Sequence, residues 1–173
     1  AIVMPSRWSD FPKEFKAGFK AFRTPGVGWL GISVFNAFVD KVLPASIVRT
    51  LSDEEMAAYR RPFPTVASRK PVRVWPTEIP IDGSPSDVHD AVTAYNAWLQ
   101  ETDIPKLLFH ARPGAIVSAE VVQWCRDHLP NLTDVDLGEG LHFLQEDHPH
   151  RIGEEIGRWI DGWRARQKQR DAS

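Results

Sequence analysis

Large apolar residues recur every three or four positions in the first stretch of the chain. Trp8, Phe11, Phe15, Phe19 and Phe22 share one face and predict an aromatic-striped helix over residues 8–23. Ser9 or Asp10 is available to cap it. Thr24-Pro-Gly-Val-Gly28 ends it, because proline disfavours the helical conformation in its predecessor and the glycines open a turn. The apolar run from Trp29 to Leu43 predicts a second helix from about Ile32 onward, with Pro44 as its stop. Ser52-Asp-Glu-Glu55 forms a capping box, so Glu55 is assigned to capping rather than to chemistry, and a short helix runs from it to Tyr59 or Arg61. Pro62, Pro64, Pro71, Pro76, Pro80 and Pro85 then punctuate a connector expected to be extended backbone and rigid turns.

Beyond Ser84 helical and strand-like patterns alternate. Ser86 to Leu99 predicts a helix, Ile104 to His110 a buried strand, Ala119 to about His128 a helix capped by Ser118, and Leu132 to Leu137 a second strand. A final helix carries Ile152, Ile156, Trp159, Ile160 and Trp163 at helical spacing, with Asp147 as its expected N-cap and Pro149 in its first turn. Such alternation implies parallel strands with helices on their faces. Two strands make too small a sheet to be stable alone, so other strands are expected to complete it.

Composition sharpens this picture mainly by exclusion. The 173 residues are 42% hydrophobic and 25% charged, ordinary for a globular protein. A formal net charge of -2 gives no basic footprint, so neither nucleic acid nor an anionic membrane is an expected partner. The apolar stretches are interrupted by Gly, Asn, Asp or Lys, nothing approaches a membrane-spanning run, and no signal peptide opens the chain, which gives a cytoplasmic expectation. The single cysteine, Cys125, cannot form an internal disulfide and lies at helical spacing with Val121 and Val122, as a small core residue would.

The candidate chemistry centres on His142. Gly138 and Gly140 can take positive φ and turn the chain sharply after the second strand, which would set His142 at that strand's carboxyl end, just ahead of the final helix. Histidine held between two rigid elements suits a general base, although an isolated histidine is more often simply packed. A metal reading of His142, Glu146, Asp147, His148 and His150 is set aside, since Pro149 splits the pair of histidines at a helix start where acids and prolines are expected anyway. Asn131-Leu-Thr133 matches a glycosylation sequon that occurs by chance, and Gly26-Val-Gly28 lacks the strand and further glycines of a phosphate loop. Upstream of His142 no nucleophile elbow is found, and the loop from Ala111 to Ile116 offers no acid.

The run Gly140-Leu-His-Phe-Leu-Gln-Glu-Asp-His-Pro with Ile152-Gly, preceded by Pro105-Lys-Leu-Leu-Phe and Arg112-Pro-Gly-Ala-Ile, resembles the C-terminal part of haloalkane dehalogenases of the α/β-hydrolase superfamily. Phe35-Asn-Ala-Phe-Val-Asp-Lys-Val-Leu-Pro44, Leu51 to Phe63 and Val74-Trp-Pro-Thr-Glu-Ile-Pro-Ile81 extend that resemblance over nearly the whole chain. It implies an α/β class: the last two strands of an α/β-hydrolase core with their helices in residues 82–173, and a helical cap domain in residues 2–81. The chain starts Ala1-Ile-Val-Met-Pro as if cut after a strand, so the resemblance places the aspartate nucleophile and the acid in a preceding half; in one dehalogenase subfamily that acid is a glutamate, which would fall immediately before Ala1. The partners it implies are that N-terminal half, a small halogenated hydrocarbon and a halide ion.

The same resemblance gives His142 the role of base in hydrolysing an alkyl-aspartate ester, with no metal or organic cofactor. It makes Phe19, Phe38, Trp75, Pro76, Ile79, Ile116 and Phe143 the substrate pocket, and the ring of Pro76 a halide contact beside an Asn and a Trp of the preceding half. For Ile79 and Ile116 plain core packing is an equal expectation. Phe15 and Phe22 are assigned to packing against neighbouring helices. Ser46 stands where the family is often larger, which implies a wider tunnel mouth. The chain departs from the family's pattern at Trp29 to Phe35, which is almost wholly apolar where relatives carry a polar, glutamate-containing stretch. Other readings are a non-catalytic fragment or interaction module, for which the missing nucleophile speaks, and a sister activity such as an epoxide hydrolase or a coelenterazine-type luciferase. Epoxide opening calls for tyrosines in the cap, where Tyr59 is the single one.

Overall fold

The computed structural model describes residues 7–9, 11 and 13–171. Asp10, one of the two expected caps, and the strand-like start at Ala1 to Pro5 lie outside them. The chain forms two compact units: one from the residues up to Ser46 together with Thr50–Glu101, the other from Ile47–Arg49 together with the residues from Thr102 onward.

In the first unit the aromatic-striped helix runs over Lys13–Arg23, shorter than the spacing predicts, because Trp8 and Ser9 form a turn before it. The rings remain in contact all the same, Trp8 with Phe11 at 5.5 Å and Phe11 with Phe19 at 5.0 Å between centroids. The turn that follows is tight at Gly28, where a Cβ would stand 2.0 Å from the carbonyl oxygen of Phe22.

The single helix expected from Ile32 to Leu43 is instead broken. Trp29–Val34 is wound as a π-helix, closed by the Phe35 amide bonding to the Leu30 carbonyl at 3.0 Å. Asn36 then adopts φ 52°, and the chain resumes as a π-helix over Phe38–Val42 and an α-turn over Leu43–Ala45. Asn is among the few residues that enter the left-handed region readily, so it permits the break where a branched residue would resist it. Pro44 is not a stop. It is the second residue of the last turn, and the helical path that continues from Phe38 ends one residue later, at Ala45. Ser46 ends the turn, buried, its hydroxyl donating to the Val42 carbonyl at 2.7 Å.

The capping box forms as expected: Ser52 Oγ accepts from the Glu55 amide at 3.2 Å, and Glu55 Oε2 accepts from the Ser52 amide at 2.7 Å, at the head of Asp53–Arg60. The proline-punctuated connector, however, contains a helix, Lys70–Glu78. Pro71 occupies its first turn, where proline is at home, and Pro76 lies inside it. Arg69, just before this helix, donates to the carbonyls of Phe63, Ser33 and Val34 at 3.0 Å each, and so also closes the end of the first π-helix. Asp82 at φ 51° and Gly83 at φ 79° make the two-residue turn between Ile81 and Ser84, and the helix Ser86–Glu101 follows, with Val92 buried.

The second unit is built on two parallel strands, β1 (Lys106–Pro113) and β2 (Leu132–Gly140). Each runs further than its apolar pattern predicts. Pairing proceeds from Lys106 with Leu132 to His110 with Asp136, then resumes at Arg112 with Glu139, so β2 carries one extra residue opposite Ala111. Gly138, at φ 93°, absorbs that bulge. The crossover helix Ala119–His128 is capped by Ser118, whose Oγ accepts from the Val121 amide at 3.4 Å, and buries Val122 and Cys125. A short helix, Leu144–Asp147, and the long helix Pro149–Asp171 complete the unit. Among the described residues no helix is long and apolar enough to cross a membrane.

Candidate active site

The bulge in β2 sets the direction in which the chain leaves the sheet. The Asp136 carboxylate accepts from the Gly138 amide at 2.8 Å and lies 3.0 Å from Arg112, so it stays ionised below the usual carboxylate range. Arg151 donates to the carbonyls of Asp136 at 2.8 Å and Leu137 at 3.2 Å. Gly140 is required for closeness rather than for a turn: a Cβ there would stand 2.6 Å from Leu144 Cδ2 and 2.7 Å from Ala111 Cβ. The strand therefore ends pressed between β1 and the following helix, and the next residues must turn away.

His142 is the second residue after this wedge. Its ring packs edge-on against Phe143, centroids 4.8 Å apart at 66°. Burial lowers the pKa of the imidazole, which holds it neutral at neutral pH. Among the described residues it makes no hydrogen bond.

The titratable residues around it are committed elsewhere. Asp147 does not cap the long helix, which begins at Pro149 after His148; its carboxylate accepts from the amides of Val48 at 3.1 Å and Arg49 at 2.9 Å. Glu146 pairs with Arg49 Nη2 at 2.6 Å. His148 donates from Nε2 to the Glu139 carbonyl at 2.6 Å. Among the described residues no group of three or more His, Cys, Asp or Glu side chains converges in a way that could hold a metal ion.

The expected pocket residues fall into separate groups. In the first unit Phe19 and Phe38 both meet Trp75 edge-on, at 6.5 Å and 5.7 Å. Phe22, expected to serve packing only, touches Phe38 at 6.1 Å and so belongs to the same cluster. Trp75 stays 46% exposed, Pro76 is fully buried, and Ile79 is half-buried. Phe15, the other ring assigned to packing, is 38% exposed. In the second unit Phe143 contacts His142, and Ile116 is exposed in the loop after β1.

Two polar constellations escape sequence reasoning. Arg23 donates from Nη1 to the carbonyls of Pro76 and Ile79, at 2.7 Å each, and from Nη2 to that of Ser84 at 3.2 Å. In the second unit the buried His110 lies 2.9 Å from Asp134, which Arg126 grips through Nε at 3.0 Å and Nη2 at 2.6 Å. The Arg126 hydrogen bonds, more than those of His110, hold Asp134 down at about 2. A histidine and an aspartate at inward-facing strand positions are the available signal for the second; nothing local announces the first.

No family model matches the chain. Over 160 residues it is 48% identical to a haloalkane dehalogenase of Bradyrhizobium diazoefficiens, a match covering 92% of this chain and 52% of that protein. It is 43% identical over 161 residues to a haloalkane dehalogenase of Sphingobium indicum, covering 92% and 53%. Among solved structures, a haloalkane dehalogenase from Bradyrhizobium elkani superposes with a TM-score of 0.91 at 49% identity, over 93% of this chain and 56% of that one. Another, from Agrobacterium tumefaciens, gives 0.79 at 31% identity, over 95% and 55%. The chain thus spans about half the length of the curated relatives it matches. The resemblance carried by its motifs is borne out: in sequence and fold it is like about half of a haloalkane dehalogenase, a partial α/β-hydrolase fold with added helices.

Proposed function

We propose that this chain supplies the base and much of the substrate pocket of a hydrolytic haloalkane dehalogenase, with residues 2–81 as cap and 82–173 as the end of the core. The nucleophile and the orienting acid come from the preceding half of the enzyme. An aspartate oxygen attacks the halogen-bearing carbon, the carbon–halogen bond breaks with its electron pair leaving on halide, and an alkyl ester forms. His142 then takes a proton from water as the hydroxide adds to the ester carbonyl. Collapse expels alkoxide, which recovers that proton from the imidazolium and leaves as the alcohol. The regenerated carboxyl group ionises, so the balance is haloalkane and water to alcohol, halide and a proton. These steps need a carboxylate and a base of pKa near working pH, and no metal or organic cofactor.

The observation that carries this reading is His142 itself: half-buried, kept neutral by desolvation, braced by Phe143 beyond the carboxyl end of a parallel strand, and free of hydrogen bonds among the described residues. The rings of Phe19, Phe38 and Trp75, followed in the chain by Pro76 and Ile79, give the first unit an apolar surface suited to a small uncharged halogenated hydrocarbon, and Ile116 and Phe143 are assigned to substrate contact by the same apolar character. Pro76 is assigned the halide contact.

The test uses the enzyme completed by a nucleophile-bearing N-terminal half. His142→Gln should still undergo the first displacement, which involves no proton transfer, and should then stall as the ester. Mass spectrometry after incubation with a chloroalkane should show protein heavier by the alkyl group and at most one halide released per site. Undiminished multiple turnover would remove His142 from this role.

A further inference from the structure

We propose that Arg49 and Asp147 form a clamp that positions His142 for ester hydrolysis; the inference rests on the assignment of His142 as base. Ile47–Arg49 packs in the same compact unit as His142, although the residues on either side of it in the chain, Ser46 and Thr50, belong to the other unit. The attachment is specific. Both oxygens of Asp147 lie 3.1 Å from the Val48 amide and Oδ1 is 2.9 Å from the Arg49 amide, so one carboxylate gathers two successive backbone donors. Arg49 answers in the other direction: Nε donates to the Glu146 carbonyl at 2.7 Å and Nη2 to the Glu146 carboxylate at 2.6 Å. These bonds join positions 97 to 99 residues apart in the chain.

Their effect falls on the segment between Gly140 and His148. On one side it is held by the wedge of Gly140 between Ala111 and Leu144 and by the bond from His148 to the Glu139 carbonyl. On the other side the helix Leu144–Asp147, a single turn, cannot hold its own shape by intrahelical bonds. Docking Glu146 and Asp147 onto residues 48 and 49 adds a further fixed point inside the segment, ahead of the one made by His148. His142 lies on the five-residue link, 141–145, between Gly140 and the docked Glu146, so the clamp sets where its imidazole stands relative to the ester and the attacking water. Arg49 and Asp147 touch neither reacting group; they are positioning residues.

The alkylation step needs no base and the hydrolysis step does, so the clamp predicts a split between them. In the completed enzyme, single-turnover rapid-quench mass spectrometry on a bromoalkane, at a temperature where each variant is folded, gives both rate constants from the rise and decay of the ester. Because ester forms only in folded enzyme, the two constants are independent of the folded fraction. Asp147→Asn and Arg49→Met should slow ester decay about ten- to a hundredfold, the range expected when a catalytic group is misplaced by about an ångström, with ester formation within about twofold of wild type. Arg49→Lys keeps the charge, is the variant least able to disturb folding, and should fall between. His142→Gln serves as reference. If it turns over undiminished, the base assignment fails and the clamp falls with it. If it traps the ester while all three clamp variants keep the wild-type ratio of the two rate constants and lose only thermal stability, the clamp is structural and this inference alone is overturned.

Discussion

Arg23 reaches Pro76 across 53 positions of sequence and donates to its carbonyl at 2.7 Å, closing the C-terminal end of the helix Lys70–Glu78 from a neighbouring helix. The guanidinium is partly desolvated there, which lowers its pKa, while the negative charge of Glu78 opposes the shift. A cation at a helix C-terminus complements the exposed carbonyls and the helix dipole.

Arg23→Met should therefore leave three carbonyl oxygens without this donor and cost about 1–3 kcal/mol of stability. Arg23→Lys should recover little, because one ammonium cannot reproduce the forked contact. Since the turn beyond residue 76 adjoins Trp75, the relative kcat/KM on short and long chloroalkanes should shift in Arg23→Met. Thermal melts and a two-substrate comparison check both points, and unchanged melting would show that the fork contributes nothing.

The phenylalanines of the first unit divide into those whose rings meet Trp75, Phe19 and Phe38, and others such as Phe15. Phe38→Ala removes a ring packed against both Trp75 and Phe22 and should change substrate ranking toward longer or bulkier haloalkanes. Its stability loss should stay below the roughly 3–5 kcal/mol of a fully buried Phe→Ala. Phe15, 38% exposed, should tolerate alanine with a loss under about 1 kcal/mol and no change in ranking. Equal effects of the two substitutions on melting and ranking would dissolve the assignment of Phe38 to the pocket.

Desolvation of His142 within this chain favours the neutral imidazole, so without the orienting acid its ring should titrate below the ordinary histidine value of about 6.5. The stability linkage has the same sign. A base with a depressed folded-state pKa adds stability above its unfolded pKa and loses it as pH falls through the folded value. His142→Gln should abolish that part of the acid sensitivity. An NMR titration of the His142 ring in this chain, without the preceding half, locates the midpoint, and one above the ordinary value would contradict the desolvated site.

Asp134 offers a second titration, remote from the chemistry. Its pKa is lowered from 3.8 to about 2, chiefly by Arg126. Its contribution is thus complete above the unfolded value near 4 and disappears as pH falls through about 2. Asp134→Asn should cost up to about 2 kcal/mol at pH 7, and the gap from wild type should close between pH 4 and pH 2. Denaturation at both ends of that range measures it; a gap that persists at pH 2 would mean the loss is packing rather than charge.

What the sequence determined by itself is local or strongly patterned. The capping box at Ser52 and Glu55, the Ser118 cap, the alternation of helix and strand after Ser86 and the delivery of His142 beyond β2 all depend on residues within a turn or two of each other. The motifs around His142 also carried the resemblance. The tertiary structure decided what neighbours in sequence cannot. Pro71 and Pro76 look like connector residues until Arg23 closes the helix that holds them, and the apolar run after Trp29 looks like one helix until Asn36 breaks it and Arg69 seals the first half. Asp147 reads as an ordinary cap, yet it bonds two amides 98 and 99 positions away. In each case the deciding bond joins a long charged side chain or carboxylate to backbone groups far along the chain. Periodicity records which face of an element is apolar, but it holds no trace of which distant carbonyl or amide that face will meet.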